Sequence, residues 1–187
     1  MNPINVAGIF YFAAGIGLIV EVGDASAVSR ENQSIRSSET SGIHQTGSAT
    51  QPAQEKHYSE LVDRVHQQVN DFRREHGLKL LRLDPTISAE AREHSAEMAR
   101  SGNTISHRGF KQRLQDIRKK IPSRAAAENV AASVGYDNPA RTAVDGWKNS
   151  PEHRKNMLGD FSLTGIGIAQ SKDGGYFFTQ IFIEPMK

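Results

Sequence analysis

One acidic residue of this chain stands where a carboxylate could take part in chemistry. Glu128 follows three alanines at positions 125–127, and a carboxylate after so apolar a run is expected to be half buried. A buried carboxylate needs a charged or hydrogen-bonding partner, and His107 or His153 could supply it. Such a pair can bind a ligand or transfer a proton. The alternative, that Glu128 only braces its loop, stays open at this point.

Several other chemistries are excluded by composition. The 187 residues contain no cysteine, which excludes a disulfide scaffold, a thiolate zinc site, a cysteine nucleophile and a lipidated cysteine. The chain has neither an HExxH zinc motif nor a nucleophile elbow. The formal net charge of +2 does not by itself indicate a nucleic-acid-binding protein.

Another histidine is better explained by packing. His94 shares a helical stripe with Ile87, Ala91 and Met98, so we interpret it as a hydrogen-bonded core residue. Gln180 lies in a β-rich run, and two interpretations of it stay open: it faces a cleft, or it satisfies buried backbone groups.

The segment 108–124 is strongly basic, with seven Lys and Arg residues against Asp116 alone. A solvated helix face is the default interpretation. The alternative is contact with an anionic surface such as lipid headgroups, cell-wall polymer or nucleic acid. Nucleic acid is the least favoured of these because Phe110 is the only aromatic residue of the segment.

The elements that must position these residues follow from periodicity and turn signals. Apolar spacing predicts helices, and β-rich runs separated by Lys172–Gly175 predict a C-terminal hairpin. The predicted helices are 57–75, 85–102, 110–120, one that opens at Asn138-Pro139 and carries Trp147, and 151–158. The predicted strands are 128–134, 165–168 and 176–183. Helices first and a hairpin last indicate an α+β layered domain.

The N-terminal part predicts export. An apolar run, Val6–Val20, is followed by the small residues of Ala25–Ala27, which is typical of a signal peptide over residues 1–27. An uncleaved membrane anchor is the alternative, although the run is shorter than the ~20 apolar residues of a spanning helix. Residues 28–56 are rich in Ser, Thr and Gln and predict a disordered linker. Residues 57–187 form the predicted domain of a secreted, periplasmic or cell-envelope protein.

Motifs spread over residues 57–184 resemble, in their order, the CAP superfamily (cysteine-rich secretory, antigen 5, pathogenesis-related 1) in its bacterial SCP-like branch. They are Asn70-x-x-Arg73, Ala91-x-x-His94-Ser95-x-x-Met98, Ser106-His107, Ala127-Glu128-Asn129-Val130, Trp147-x-Asn149-Ser150-Pro151-x-His153-Arg154-x-Asn156, Gly165-Ile166-Gly167 and Thr179-Gln180-Ile181-Phe182. The resemblance implies a three-layer α-β-α sandwich with a central antiparallel sheet and a cleft on one side.

The resemblance also implies a site. In the family, two histidines and acidic residues line the cleft, and in several members they bind a divalent metal such as zinc. The matching residues are His107, Glu128 and His153, and we expect Asn129 and Gln180 to be further cleft residues. Many eukaryotic members carry a second glutamate where this chain has Ser150, so a tetrad-dependent activity is in doubt.

Three functions are compatible with these observations. The favoured one is a secreted binding module for a lipid, cell-envelope or protein ligand, without enzymatic activity. The alternative is a hydrolase of peptides or esters in which His107, Glu128 and His153 activate water, with or without a metal. The third is a scaffold whose cleft residues only brace the fold.

Overall fold

The computed structural model describes residues 9–11, 50–101 and 104–187. The predicted signal peptide, apart from Ile9–Tyr11, and the predicted linker up to residue 49 lie outside the described residues. None of the described helices is both long enough and apolar enough to cross a bilayer.

Five helices and five strands make up the described chain. The helices are α1 (Thr50–Glu75), α2 (Pro85–Arg100), α3 (Phe110–Arg118), α4 (Pro139–Asn149) and α5 (Pro151–Met157). The strands are β1 (Ile9–Tyr11), β2 (Arg82–Leu83), β3 (Ser123–Val134), β4 (Leu163–Gln170) and β5 (Tyr176–Pro185). Strand β3 begins five residues before the predicted start at Glu128.

The first helix begins at Thr50, seven residues before the predicted start. The end of the predicted linker, residues 50–56, is therefore helical rather than disordered. These residues are largely Gln, Ala, Glu and Lys, which have high helix propensity and need no core burial to extend an existing helix. Pro52 is tolerated because it lies in the first turn.

The sheet has the strand order β1-β3-β5-β4-β2. Its long strands are antiparallel, as predicted, and the two-residue strand β2 adds one parallel pair with β4. The sheet is therefore mixed. The predicted hairpin between β4 and β5 is confirmed, with Gly174 at a φ of 83°, in the left-handed region that favours glycine.

Helices cover both faces of the sheet, which confirms the predicted α-β-α sandwich. On one face α1 and α4 bury an apolar cluster against the sheet that includes Trp147, and on the other α2 and α3 bury a second cluster. Gly165 and Gly167 face α2, and a Cβ atom on either would overlap its backbone at Ile87 or Ala91. Glycine is therefore required at both positions of β4.

The outer edge of β3 is covered by side chains. The indole Nε1 of Trp147 donates to the carbonyl of Val130 at 3.1 Å, and Nδ2 of Asn156 donates to the carbonyl of Glu128 at 3.3 Å. These bonds hold α4 and α5 against the strand. They bring the start of α5, with His153, close to the stretch of β3 that carries Glu128.

Candidate functional site

Glu128 is fully buried on β3 and is held by a residue that sequence reasoning did not select. Arg113 of α3 donates from Nε to Oε2 at 3.0 Å and from Nη2 to Oε1 at 2.8 Å and to Oε2 at 2.7 Å. Bidentate guanidinium–carboxylate contacts are among the strongest hydrogen bonds in proteins. The sequence predicted a histidine as the partner of this carboxylate, and the structure adds an arginine, Arg113.

His107 is the histidine that contacts Glu128. Its Nδ1 lies 2.9 Å from Oε1 of Glu128, and because an ionised carboxylate only accepts, Nδ1 carries the proton and donates. In the neutral ring the lone pair is then on Nε2. This atom is buried and has no hydrogen-bond partner among the described residues.

The position of Arg113 corrects the interpretation of segment 108–124 as a solvated face. Its guanidinium is buried, and Nη1 also donates to the carbonyl of Arg108 at 2.8 Å. The signal was present in the sequence, since Phe110, Arg113, Leu114 and Ile117 are spaced as one helical stripe, and all four are buried. Contact between the other basic residues of the segment and an anionic surface stays a prediction.

His153 is buried at the start of α5. Its Nδ1 lies 2.8 Å from Oγ of Ser150, the residue at the position of the second family glutamate. Burial, and secondarily the charge of nearby His107, lower the pKa of His153 to about 4. The ring is therefore neutral at pH 7, and the two predicted histidines lie close enough to interact electrostatically.

Asn129 acts on α5 from the face of the sheet opposite Glu128. Its Nδ2 donates to the carbonyl of His153 at 3.1 Å, and its Oδ1 accepts from Nδ2 of Asn156 at 2.9 Å. Both side chains are buried. Asn129 and Asn156 thus hold the histidine-bearing helix in place.

Gln180 is fully buried in the middle of the sheet, beside Asn129 in the strand register. Its Nε2 donates to Oγ1 of Thr164 at 3.1 Å. Within the described chain, its Oε1 has no hydrogen-bond partner. The structure thus gives Gln180 a bond to a neighbouring strand.

His94 is a buried core residue, in agreement with its position on the apolar stripe. Its Nε2 donates to the carbonyl of Ser106 at 2.7 Å. Because Ser106 directly precedes His107, this bond fixes the loop that carries His107. His94 therefore helps to position the candidate site.

A metal site made of His107, Glu128 and His153 does not fit this arrangement. Both oxygens of Glu128 are bonded to Arg113, and one also accepts from His107, so the carboxylate would have to leave a buried cation to bind a metal. In the described residues, no group of three or more His, Cys, Asp or Glu side chains is arranged to hold a metal ion. The arrangement offers imidazole groups instead.

Comparison with known proteins decides the family. The chain matches the cysteine-rich secretory protein family, CAP, over residues 66–182, which is more than half of its length. This chain belongs to the CAP family. The matched region contains every residue of the candidate site described above.

Among curated proteins, two from Bacillus subtilis (strain 168) are similar to this CAP domain. The uncharacterized protein YkwD is 35% identical over 124 residues, which are 64% of this chain and 46% of that protein. The uncharacterized membrane protein YlbC is 34% identical over 121 residues, which are 62% of this chain and 32% of that protein. The chain thus spans less than half the length of these relatives.

Solved structures support the same fold. An extracellular protein of Bacillus anthracis containing an SCP domain is 31% identical, with a TM-score of 0.60 over 74% of this chain and 45% of that chain. An outer surface protein of Borrelia burgdorferi, at 23% identity, has a TM-score of 0.58 over 68% of this chain and 94% of that chain. At this identity the second likeness is one of fold alone.

Proposed function

We propose that this CAP domain is an extracellular or cell-envelope binding module that holds its ligand in the cleft of His107 and His153. The observation that carries the proposal is the engagement of Glu128, whose two oxygens are bonded to Arg113 and His107. A carboxylate in this state serves to orient an imidazole. The group left for a ligand is the buried Nε2 of His107.

The chemistry of this cleft favours a ligand that donates a hydrogen bond. Glu128 fixes the ring of His107 so that Nε2 accepts in the neutral form, and the low pKa of His153 keeps a second positive charge out of the cleft. Hydroxyl or N–H groups of a lipid headgroup or a cell-envelope polymer meet this requirement. Because His153 is neutral at pH 7, it does not repel a cationic ligand.

The location of the protein rests on the predicted signal peptide and on what its relatives are called. One is described as extracellular, one as an outer surface protein and one as a membrane protein. These descriptions support secretion to the cell surface. Retention by a membrane anchor is the alternative that the last of them supports.

A hydrolase is the second candidate, and one observation favours it. The carboxylate of Glu128 orients Nδ1 of His107, which is how a histidine general base is held. The neighbouring hydroxyl, that of Ser150, contacts Nδ1 of His153 instead. Among the described residues, Nε2 of His107 has no hydrogen-bond partner, so a hydrolase of this kind would have to activate water there. We prefer binding because the sequence has no dedicated catalytic motif.

Binding and hydrolysis are separated by one set of variants. The folded domain is mixed with isolated bacterial cell walls and with phospholipid vesicles, and the bound fraction is measured by sedimentation. We expect the wild type to bind one of these and His107→Ala to lose that binding, while the exposed control His57→Ala retains it. Absence of binding to both, or equal binding by His107→Ala, contradicts the proposal.

The same proteins are assayed with p-nitrophenyl acetate and labelled casein. Hydrolysis by the wild type that His107→Ala abolishes and His57→Ala retains would establish the hydrolase instead. Titration with zinc chloride tests the metal. We expect no saturable heat and no rise in melting temperature, and a rise that Glu128→Gln removes would show that Glu128 does leave Arg113 to bind zinc.

A further inference from the structure

The edge of the sheet formed by β4 is paired over only part of its length. Strand β2 pairs with β4 through Leu163 and Thr164, and then Pro85 starts α2 and takes the chain away from the sheet. Among the residues that the structure describes, no strand pairs with β4 beyond Thr164 on this side. The remainder of β4, up to Gln170, is therefore an open edge.

The backbone groups at this open edge belong to the even-numbered residues of β4. The amide of Asp84 donates to the carbonyl of Thr164 at 2.9 Å, which places the backbone groups of Thr164 on the side of β2. Because successive strand residues turn their backbone groups to opposite edges, Ile166 and Ile168 also present an N–H and a carbonyl to this side. Such groups are a template for an added strand.

A groove runs along the open edge, and α2 forms one of its walls throughout. The first part, of about 600 Å³, lies between α1, α2 and the residues Ile166–Ile168. The second part, of about 660 Å³, continues along Ala169–Asp173 and the last turns of α2. The 16 residues of α2 span ~24 Å, which equals about seven residues of extended chain. The size of this edge groove therefore fits a short extended peptide.

The two walls of the edge groove differ in chemistry. On the α1 side, Tyr58 and Val62 are half-buried against the apolar cluster of that face. Successive side chains of an added strand would point to the two walls in turn, so every second one would meet these apolar groups. The others would meet α2, whose small residues leave room for them. These small residues are Ser88, Ala89, Ala96 and Ala99.

The α2 wall is also basic. Arg92 is exposed and forms no ion pair within the described chain, and Arg100, at the other end of the wall, contacts Glu93 at 3.1 Å. The carboxylates that line the groove lie elsewhere, Glu55 on α1 and Asp173 in the hairpin. Acidic side chains that point to α2 would therefore find a free cation at Arg92.

We propose that the edge groove binds an extended acidic segment of a partner protein, which adds to β4 as a further strand. Its backbone pairs with Ile166 and Ile168, its apolar side chains contact Tyr58 and Val62, and its acidic side chains lie beside Arg92. A second copy of this chain fits less well, because its own β4 edge is flanked by helices. None of the cleft residues of the proposed function lines this groove, so the two proposals are independent.

Calorimetric titration of the whole folded chain with synthetic heptapeptides tests the proposal. The first probe alternates valine and glutamate and has blocked ends, and the second replaces every glutamate by lysine. We expect saturable binding of the glutamate peptide and binding about tenfold weaker or less for the lysine peptide. Equal binding of both, or no saturable binding of the glutamate peptide, overturns the proposal.

Backbone methylation tests whether the peptide is bound as a strand. Two further glutamate peptides carry N-methyl groups either on all valines or on all glutamates. Since alternate residues of a strand turn their N–H groups to opposite edges, only one of the two peptides loses the donors that face β4. We expect that one to lose binding and the other to keep it. Equal behaviour of the two methylated peptides overturns strand addition.

Two charge reversals locate the site. Arg92→Glu is expected to weaken binding of the glutamate peptide by about tenfold or more and to strengthen that of the lysine peptide. The matched control Arg64→Glu makes the same change at an exposed arginine that lies on the α4 side of α1, and it is expected to leave both affinities unchanged. Equal effects of the two variants would show that the peptides respond only to net charge and would overturn the assignment.

Amide hydrogen exchange of the wild type identifies the paired groups. The bound glutamate peptide should slow exchange at Ile166 and Ile168, while Gly167, whose backbone faces β5, should change less. Binding without protection at the two isoleucines would place the peptide elsewhere and contradict the proposal. Protection that rises with protein concentration in the absence of peptide would show that a second copy occupies the edge instead.

Discussion

Two neighbouring residues of β3, Glu128 and Asn129, point to opposite faces of the sheet, and each holds one histidine element by a different chemistry. Glu128 binds Arg113 and His107 through charged groups. Asn129 binds the backbone of His153 and the side chain of Asn156 through neutral amides. One strand therefore carries an ionic network and an amide network, back to back.

This difference predicts which of the two networks contributes more to the stability of the fold. Removing one member of a buried ion pair leaves an uncompensated charge, whereas removing one member of an amide pair leaves an unsatisfied dipole. The ionic side should therefore be the more costly to break. The neutral side holds the helix of His153, whose burial keeps the ring uncharged, and this side should respond more strongly to pH.

The largest effect is expected for Arg113→Met, which leaves Glu128 buried without its cation. We expect the free energy of unfolding, measured in urea, to fall by about 3–5 kcal/mol. The control Arg74→Met breaks the exposed pair of Arg74 and Asp71 and should cost at most about 1 kcal/mol. A loss below that of the control would contradict the ionic network.

The double variant Arg113→Met with Glu128→Gln sharpens the same comparison. If the cost comes from the uncompensated charge, neutralising the carboxylate should recover part of the stability lost by Arg113→Met. A double variant as unstable as the single one would show that packing, rather than charge, accounts for the loss. Both are measured in the same urea series.

The next effect is the pH response of His153. Its pKa of about 4 in the folded state lies below the ordinary value of 6.5, so between these values the unfolded chain binds a proton that the folded one does not. Stability is therefore complete above pH 6.5 and falls as the pH drops to 4, by about 3 kcal/mol from this group.

The contribution of His153 is obtained by subtracting the stability loss of a variant without this histidine from that of the wild type. Urea unfolding of His153→Gln, compared with the wild type at pH 7 and pH 4, should show the smaller loss of stability. His57→Gln, at an exposed histidine, should lose as much as the wild type. Parallel curves for all three proteins would argue against a buried neutral His153.

A smaller effect is expected on the amide side. Asn129→Ala leaves the carbonyl of His153 and the amide of Asn156 without this partner and should cost about 1–3 kcal/mol. Hydrogen exchange of the α5 amides should become faster, because the bond that holds this helix to β3 is lost. A cost above that of Arg113→Met would reverse the proposed ranking of the two networks.

The smallest effect belongs to Ser150→Ala. This residue precedes α5 but makes no side-chain cap bond, so the variant removes only its contact with Nδ1 of His153, worth about 0.5–1.5 kcal/mol. The imidazole ¹⁵N signals provide a second measurement. Those of His153 should shift while those of His107 stay in place, and equal shifts would mean that the two networks are not separate.

Much of the fold could be predicted because its signals are local. Asp84 before Pro85 predicts a helix start, and Oδ1 of Asp84 indeed accepts from the amides of Thr86 at 2.8 Å and Ile87 at 3.1 Å. Asn138 caps α4 in the same way. The parallel strand β2 could not be predicted, since two residues carry no period and their pairing depends on a distant strand.

The site was predicted less completely because its contacts, like the pairing of β2, join residues that are distant in the sequence. The motif resemblance selected Glu128 and both histidines, but the partner of Glu128 is 15 residues away on another element, and spacing does not pair α3 with β3. Only the helical stripe indicated that Arg113 is buried. The burial of Arg113 was missed because the segment 108–124 was interpreted as a whole, and its many basic residues favour a solvated helix face.

The bonds from Trp147 and Asn156 to the edge of β3 also bear on how this protein behaves when concentrated. An exposed strand edge is where separate molecules join their sheets. The carbonyls of Val130 and Glu128 already accept hydrogen bonds from these two side chains. Growth of the sheet from one molecule into the next is thereby blocked along this edge, which favours a chain that stays dispersed.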